Sequence, residues 1–112
     1  MKGEYLFTYG LFRDSARTLL GEIILCGKAS VNGKLYRVNE FYPGIVVGGK
    51  DKVWGDIYLI NPSVFPELDE FEGDEYTRKK VMTSADIECW VYEYHHDVSK
   101  LKPIIGGDWM LR

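Results

Sequence analysis

Cysteine is scarce, with only Cys26 and Cys89 in 112 residues and no Cys-x-x-Cys spacing between them. A short secreted disulfide framework carries more, so the expectation is two buried free thiols packed in apolar strands, in a reducing cytoplasm. Long apolar runs are also missing: none approaches the ~20 residues that a membrane span needs. The start, Met1-Lys2-Gly3-Glu4, lacks the charged-then-apolar plan of a signal peptide. Positive charge is sparse too. Formal net charge is −3 and the longest basic stretch is Arg78-Lys79-Lys80, expected on a solvated strand face, which argues against a nucleic-acid partner. There is no phosphate loop of the Gly-x-x-x-x-Gly-Lys type, no Ser-centred nucleophile elbow and no Cys/His ligand spacing for a metal. His95 and His96 are adjacent, and in a strand would point to opposite faces. No internal repeat or low-complexity tract is present, and the length suits one domain over residues 1–112.

What is abundant is aromatic residues (14%) and glycine (12 residues), the composition of short strands joined by tight turns. Tyr5 to Tyr9 reads as a first strand ending at Gly10, before a mixed segment from Leu11 to Leu20. Gly21 to Val31 and Gly33 to Val38 read as two strands joined by a tight turn at Asn32-Gly33. Tyr42-Pro43-Gly44 is a further turn, and Gly48-Gly49 a break after Ile45-Val46-Val47. In Val53 to Ile60 both faces are largely apolar, so that strand is expected to be covered on both sides. Asn61 as cap and Pro62 at the first position open a helix to about Glu72, stopped by Gly73. Tyr76 to Thr83 and Ile87 to His95 complete the strands. The expected fold class is α+β: a small closed mixed β-barrel of about six to seven short strands with one or two helices.

Helix arithmetic singles out one carboxylate. At ~100° per residue, Val64, Phe65, Leu68 and Phe71 share an apolar arc, with Glu67 and Glu70 opposite. Glu72, seven residues beyond Phe65, returns to within ~20° of it and so projects with the apolar stripe, while Asp69 sits at the stripe's edge. A carboxyl held against a core has its charged form disfavoured and its pKa raised, which suits proton transfer near neutral pH. The bland alternatives are that Glu72 pairs with a core-edge Arg such as Arg78, frays outward at the last turn, or caps a neighbouring loop. Tyr9-Gly10 is either a plain strand exit or a turn whose backbone N–H groups face an anion.

Taken in order, the motifs resemble the gamma-glutamyl cyclotransferase-like family, including the gamma-glutamylamine cyclotransferases and their small bacterial and plant relatives. They are Tyr9-Gly10-Leu11-Phe12-Arg13, Gly33-Lys34-Leu35-Tyr36, Tyr42-Pro43-Gly44, Val53-Trp54-Gly55-Asp56-Ile57-Tyr58, Leu68-Asp69-Glu70-Phe71-Glu72-Gly73, Tyr76-Thr77-Arg78 and Trp90-Val91-Tyr92. The resemblance implies a closed barrel with a pocket at one mouth and Glu72 as the catalytic acid–base. Tyr9, Gly10, Leu11, Phe12 and Tyr76 would bind substrate, with no metal or organic cofactor. The implied reaction converts a gamma-glutamyl amine or amino acid to 5-oxoproline and a free amine. A small-molecule-binding domain of the same fold that has lost catalysis is the alternative. It is prompted by Leu11, which stands where the family has Ser or Thr; Asp56 and Gly106-Gly107-Asp108 also depart from the family pattern. A nucleic-acid-binding barrel, suggested by aromatics on short strands, is opposed by the acidic balance. The motifs leave the departing amine and the oligomeric state open.

Overall fold

The computed structural model describes residues 3–10 and 23–111. The expectations for Leu11 to Leu20, for Gly21, and for Leu11 and Phe12 as binding residues lie outside the described residues. Among the described residues are six strands: β1 (Glu4–Thr8), β2 (Ile23–Arg37), β3 (Pro43–Ile60), β4 (Tyr76–Met82), β5 (Glu88–Tyr94) and β6 (Lys102–Pro103). One α-helix, α1 (Phe65–Glu72), follows a 3-10 turn at Pro62–Val64, and a second such turn spans Trp109–Leu111. The sheet order is β4-β5-β1-β3-β2-β6. A further parallel contact, Ile45 beside Glu93, returns the first half of β3 to β5 and curls the sheet toward a barrel.

The strands number six, but two of them are long. Asn32-Gly33 is not a hairpin turn: β2 runs straight through it, pairing Asn32 with Lys52 and then Gly33 with Val47. The skipped residues 48–51 bulge out of β3, and Gly48 and Gly49 take the positive φ values of 113° and 83° that the excursion needs. Gly33 serves close strand approach instead, since a Cβ there would lie 2.8 Å from the Val46 carbonyl oxygen. The chain reverses later, between β2 and β3, where the Asn39 side chain accepts from the Phe41 and Tyr42 N–H groups at 2.7 and 3.1 Å. Pro43 then begins β3, the strand position that tolerates a missing donor.

β1 is the hinge of the core. It pairs antiparallel with β3, from Glu4 with Ile60 to Thr8 with Asp56, and parallel with β5 at Leu6 and Trp90. Strand alternation sends Phe7 into a cluster with Val31, Leu35, Ile45, Ile57 and Val91, inside the curl. Leu6 goes to the opposite face, with Tyr58, Ile60, Tyr92 and the helix residues Phe65 and Leu68. The same alternation covers β3 on both sides, through Val53 and Ile57 on one face and Tyr58 and Ile60 on the other, as its apolar pattern requires.

The helix entry differs in detail from the expectation. Asn61 caps as expected, accepting from Ser63 N–H at 3.0 Å, but the first turn is 3-10. Pro66 explains it, because an α-helix begun at Pro62 would press the Pro66 ring on the carbonyl four residues back. Gly73 ends α1 with its N–H on the Asp69 carbonyl at 3.1 Å, and with φ 76° and ψ −168°. Those angles belong to glycine alone and throw the chain out toward β4. Cys89 is buried and free, but Cys26 is exposed, against the expectation for both thiols. The register shift between Leu25 and Gly27, where Gly27 takes φ 139°, leaves Ile24, Leu25 and Cys26 facing outward.

Candidate functional site

The end of β1, the start of β3 and the last turn of α1 enclose a cleft of about 300 Å³. Its walls are Thr8, Tyr9 and Gly10 from the β1 exit, Tyr42 and Pro43 ahead of β3, Phe71 and Glu72 from α1, Glu75 and Tyr76 entering β4, and Tyr92 on β5. Three residues named from the sequence, Tyr9, Gly10 and Tyr76, thus meet Glu72 around one cavity.

Tyr9 is buried and rigidly held. Its hydroxyl donates to the Tyr92 carbonyl at 2.6 Å and accepts from the Ile45 N–H at 3.3 Å. Burial, reinforced by Tyr76 nearby, pushes its pKa well above the ordinary phenol range. Gly10 follows because there is no room for more: a Cβ would meet the Pro43 ring at 2.8 Å. The Tyr76 hydroxyl donates to the Pro43 carbonyl at 2.6 Å, bracing the opposite wall, and its ring lies 6.4 Å from that of Tyr42. Burial first, then the charge of Glu72, raises the Tyr76 pKa, so this phenol stays protonated.

Glu72 points where the helical wheel sends it. Burial lifts its pKa from 4.5 to about 7, and among the described residues no cation is paired with it. Pairing with Arg78 fails because Arg78 is engaged elsewhere. Its Nε and a terminal nitrogen donate to the two carboxylate oxygens of Asp69 at 2.9 and 3.1 Å, and the Tyr92 hydroxyl donates to the same carboxylate at 2.6 Å. Arg78 chiefly, and then Tyr92, hold Asp69 below the usual carboxylate range. Arg78 is therefore not on a solvated face, as its neighbours Lys79 and Lys80 suggested. Its guanidinium lies 4.1 Å from the Phe65 ring centre and 4.5 Å from that of Trp90.

Phe71 departs from the apolar arc. It is 59% exposed and lines the mouth of the cleft rather than the core. The wheel places it beside Leu68, but α1 ends one residue later. Phe71, Tyr42, Glu75 and Tyr92 are lining residues that the sequence reasoning did not nominate. Tyr42, Phe71 and Tyr92 each lie inside one of the quoted motifs, which was the available signal, while Glu75 carried none. His95 and His96 lie past the end of β5, so strand alternation does not apply, and their ring centres are 5.0 Å apart. His95 Nδ1 shares a 2.8 Å hydrogen bond with the Thr77 hydroxyl. Among the described residues no group of His, Cys, Asp and Glu is arranged to hold a metal, and no helix is long and apolar enough to cross a membrane.

A half-buried carboxyl with its pKa lifted to about 7 and no cation paired with it among the described residues, beside phenols that remain protonated, can take a proton from a bound molecule and return it. Comparison with known proteins agrees with the fold and with the family that the motifs resemble. The family model for gamma-glutamyl cyclotransferase, AIG2-like proteins matches residues 6–111. A protein of Vibrio cholerae named "Putative gamma-glutamylcyclotransferase" is 31% identical over 113 residues, covering 96% of each chain. The solution structure of protein ytfP from Escherichia coli is 32% identical, with a TM-score of 0.75 over 95% of this chain and 96% of that one. The crystal structure of an AIG2-like protein from Mus musculus shares the fold, with a TM-score of 0.76 at 19% identity over 89% of this chain and 82% of that one.

Proposed function

The chain belongs to the gamma-glutamyl cyclotransferase, AIG2-like family, and from that premise we propose that it cyclises a gamma-glutamyl amine or gamma-glutamyl amino acid, releasing 5-oxoproline and the free amine. The observation that carries this reading is the Glu72 carboxyl, lifted by burial to about 7 inside a cleft of small-molecule size.

The chemistry asks little of the protein. The Glu72 carboxylate takes one proton from the substrate's α-ammonium. The freed amine attacks the γ-carbonyl carbon; a C–N bond forms and the carbonyl π pair moves onto oxygen. Collapse restores the C=O and breaks the bond to the departing nitrogen, which receives the proton back from the Glu72 carboxyl. The second ammonium proton also ends on the released amine, which leaves as its ammonium ion. Because attack is intramolecular, holding the substrate folded between the aromatic walls supplies much of the rate. The Gly10 backbone N–H, on the cleft wall, receives the substrate carboxylate or the developing oxyanion. Tyr76 orients the substrate from the opposite wall. No cofactor enters these steps, and a cytoplasmic setting supplies such substrates.

The test is incubation with a panel of gamma-glutamyl amines and dipeptides, with 5-oxoproline measured. Turnover by the wild-type protein, lost by about 10²–10⁴-fold in Glu72→Gln, is the expected result. Full activity in that variant would remove Glu72 as the base. Thermal stabilisation by ligand without turnover would favour the binding-domain alternative.

A further inference from the structure

α1 has only eight residues, and a helix so short depends on outside support. Its last turn carries Asp69, Glu70 and Glu72 and no basic residue, so acidic side chains crowd the negative end of the helix dipole. The support comes from β4 and β5. Three donors converge on the Asp69 carboxylate: two nitrogens of Arg78 and the Tyr92 hydroxyl. Arg78 is itself fixed between the Phe65 and Trp90 rings, which lie 5.9 Å apart edge to face. The Asp69 backbone also takes part, its carbonyl accepting from the N–H of Gly73, the residue directly after Glu72. Tyr92 continues the network to the far wall, because its carbonyl accepts from the Tyr9 hydroxyl.

We propose that Asp69, Arg78 and Tyr92 are positioning residues, a clamp that holds the last turn of α1 on the sheet and so fixes the Glu72 carboxyl in the cleft. This rests on the reading of Glu72 as the base. Among the described residues the ionisable groups around that carboxyl are Tyr9, Tyr76 and Tyr92, with Tyr42 and Glu75 on the same cleft and Asp69 on its own helix. Arg78 is engaged by Asp69, so the clamp acts through geometry rather than by lending Glu72 a counter-charge. With the clamp broken, the last turn frays, water reaches Glu72, and its proton affinity falls toward that of an ordinary glutamate.

Three variants grade the damage. In Asp69→Asn an amide offers one oxygen where three donors expect two, so one donor faces an N–H. Arg78→Lys keeps a cation on the rings but cannot make the two-pronged contact. Tyr92→Phe removes one hydroxyl only. Carboxyl ¹³C NMR titration of Glu72 in the full chain, with thermal melts and 5-oxoproline kinetics, reads the outcome. The expected result is a Glu72 midpoint lower by about one unit or more in Asp69→Asn and by less in the other two. Turnover (kcat) falls by about 10–100-fold in Asp69→Asn, with KM changed much less. Lower melting temperatures with the Glu72 midpoint and kcat unchanged would overturn the proposal, leaving the clamp a purely structural device. Should Asp69→Asn fail to fold, Tyr92→Phe and Arg78→Lys decide. If the wild-type protein turns over no gamma-glutamyl compound, the proposed reaction fails, while the titration still decides the clamp.

Discussion

Asp69 and Glu72 leave the same helix three residues apart, and the two flanks of that last turn treat them in opposite ways. Asp69, 44% exposed, is gripped by Arg78 and Tyr92 and held below the usual carboxylate range. Glu72 is turned into the cleft, unpaired among the described residues, and lifted to about 7. The helix alone does not separate them. β4 and β5 supply donors to one flank, while the aromatic cleft walls supply none to the other. A raised pKa here is a statement about what lies opposite, and the opposite signs of the two shifts fit a structural role for Asp69 and the proton transfer proposed for Glu72.

Removing the Glu72 charge breaks the contrast most severely. Glu72→Gln is expected to lose about 10²–10⁴-fold in kcat/KM while still folding, measured by 5-oxoproline release and melting temperature. Stability against pH sharpens the contrast next. Because the folded pKa of Glu72 is raised, its contribution is fully present below 4.5 and is lost as pH rises through about 7. Urea midpoints should show Glu72→Gln gaining on the wild type between pH 4.5 and 8, by at most about 3 kcal/mol, and matching it in acid. The wall beside Glu72 comes third. Tyr9→Phe leaves a buried carbonyl and a buried N–H without their shared hydroxyl, a loss of about 1–3 kcal/mol in chemical denaturation. Asp69→Asn is smallest in stability, about 1 kcal/mol at neutral pH because the pair is half exposed. Its sign is the reverse of Glu72's. The Asp69 contribution is present above 3.8 and lost as pH falls through the depressed folded value, so wild type and variant should converge only in acid below that depressed value.

The helix and its inward carboxyl were legible because spacing along one short element carries direction. Asn61, Pro62, Phe65, Leu68, Glu72 and Gly73 needed no partner to be understood. The errors arose where direction depends on a second element. Asn32-Gly33 has the local chemistry of a turn, but the looped-out residues opposite it turned a hairpin into one long strand. Cys26 lies in apolar company along the chain and still faces outward, because a bulge at Gly27 rotates it. Arg78 looked solvated beside Lys79 and Lys80, since strand alternation does not reveal that Phe65, Trp90 and Asp69 wait across the sheet. Phe71 fits the wheel and still lines the cleft mouth, because the helix ends one residue later. Tyr42 and Glu75 join the site through chain reversals that no periodicity encodes.

The most direct measurement is the pH dependence of kcat/KM for 5-oxoproline release by the wild-type protein beside Glu72→Gln. A rise through a midpoint near 7 in the wild type, absent from the residual rate of the variant, is the outcome the account predicts. A limb near 4.5, or the same limb in both proteins, would contradict it.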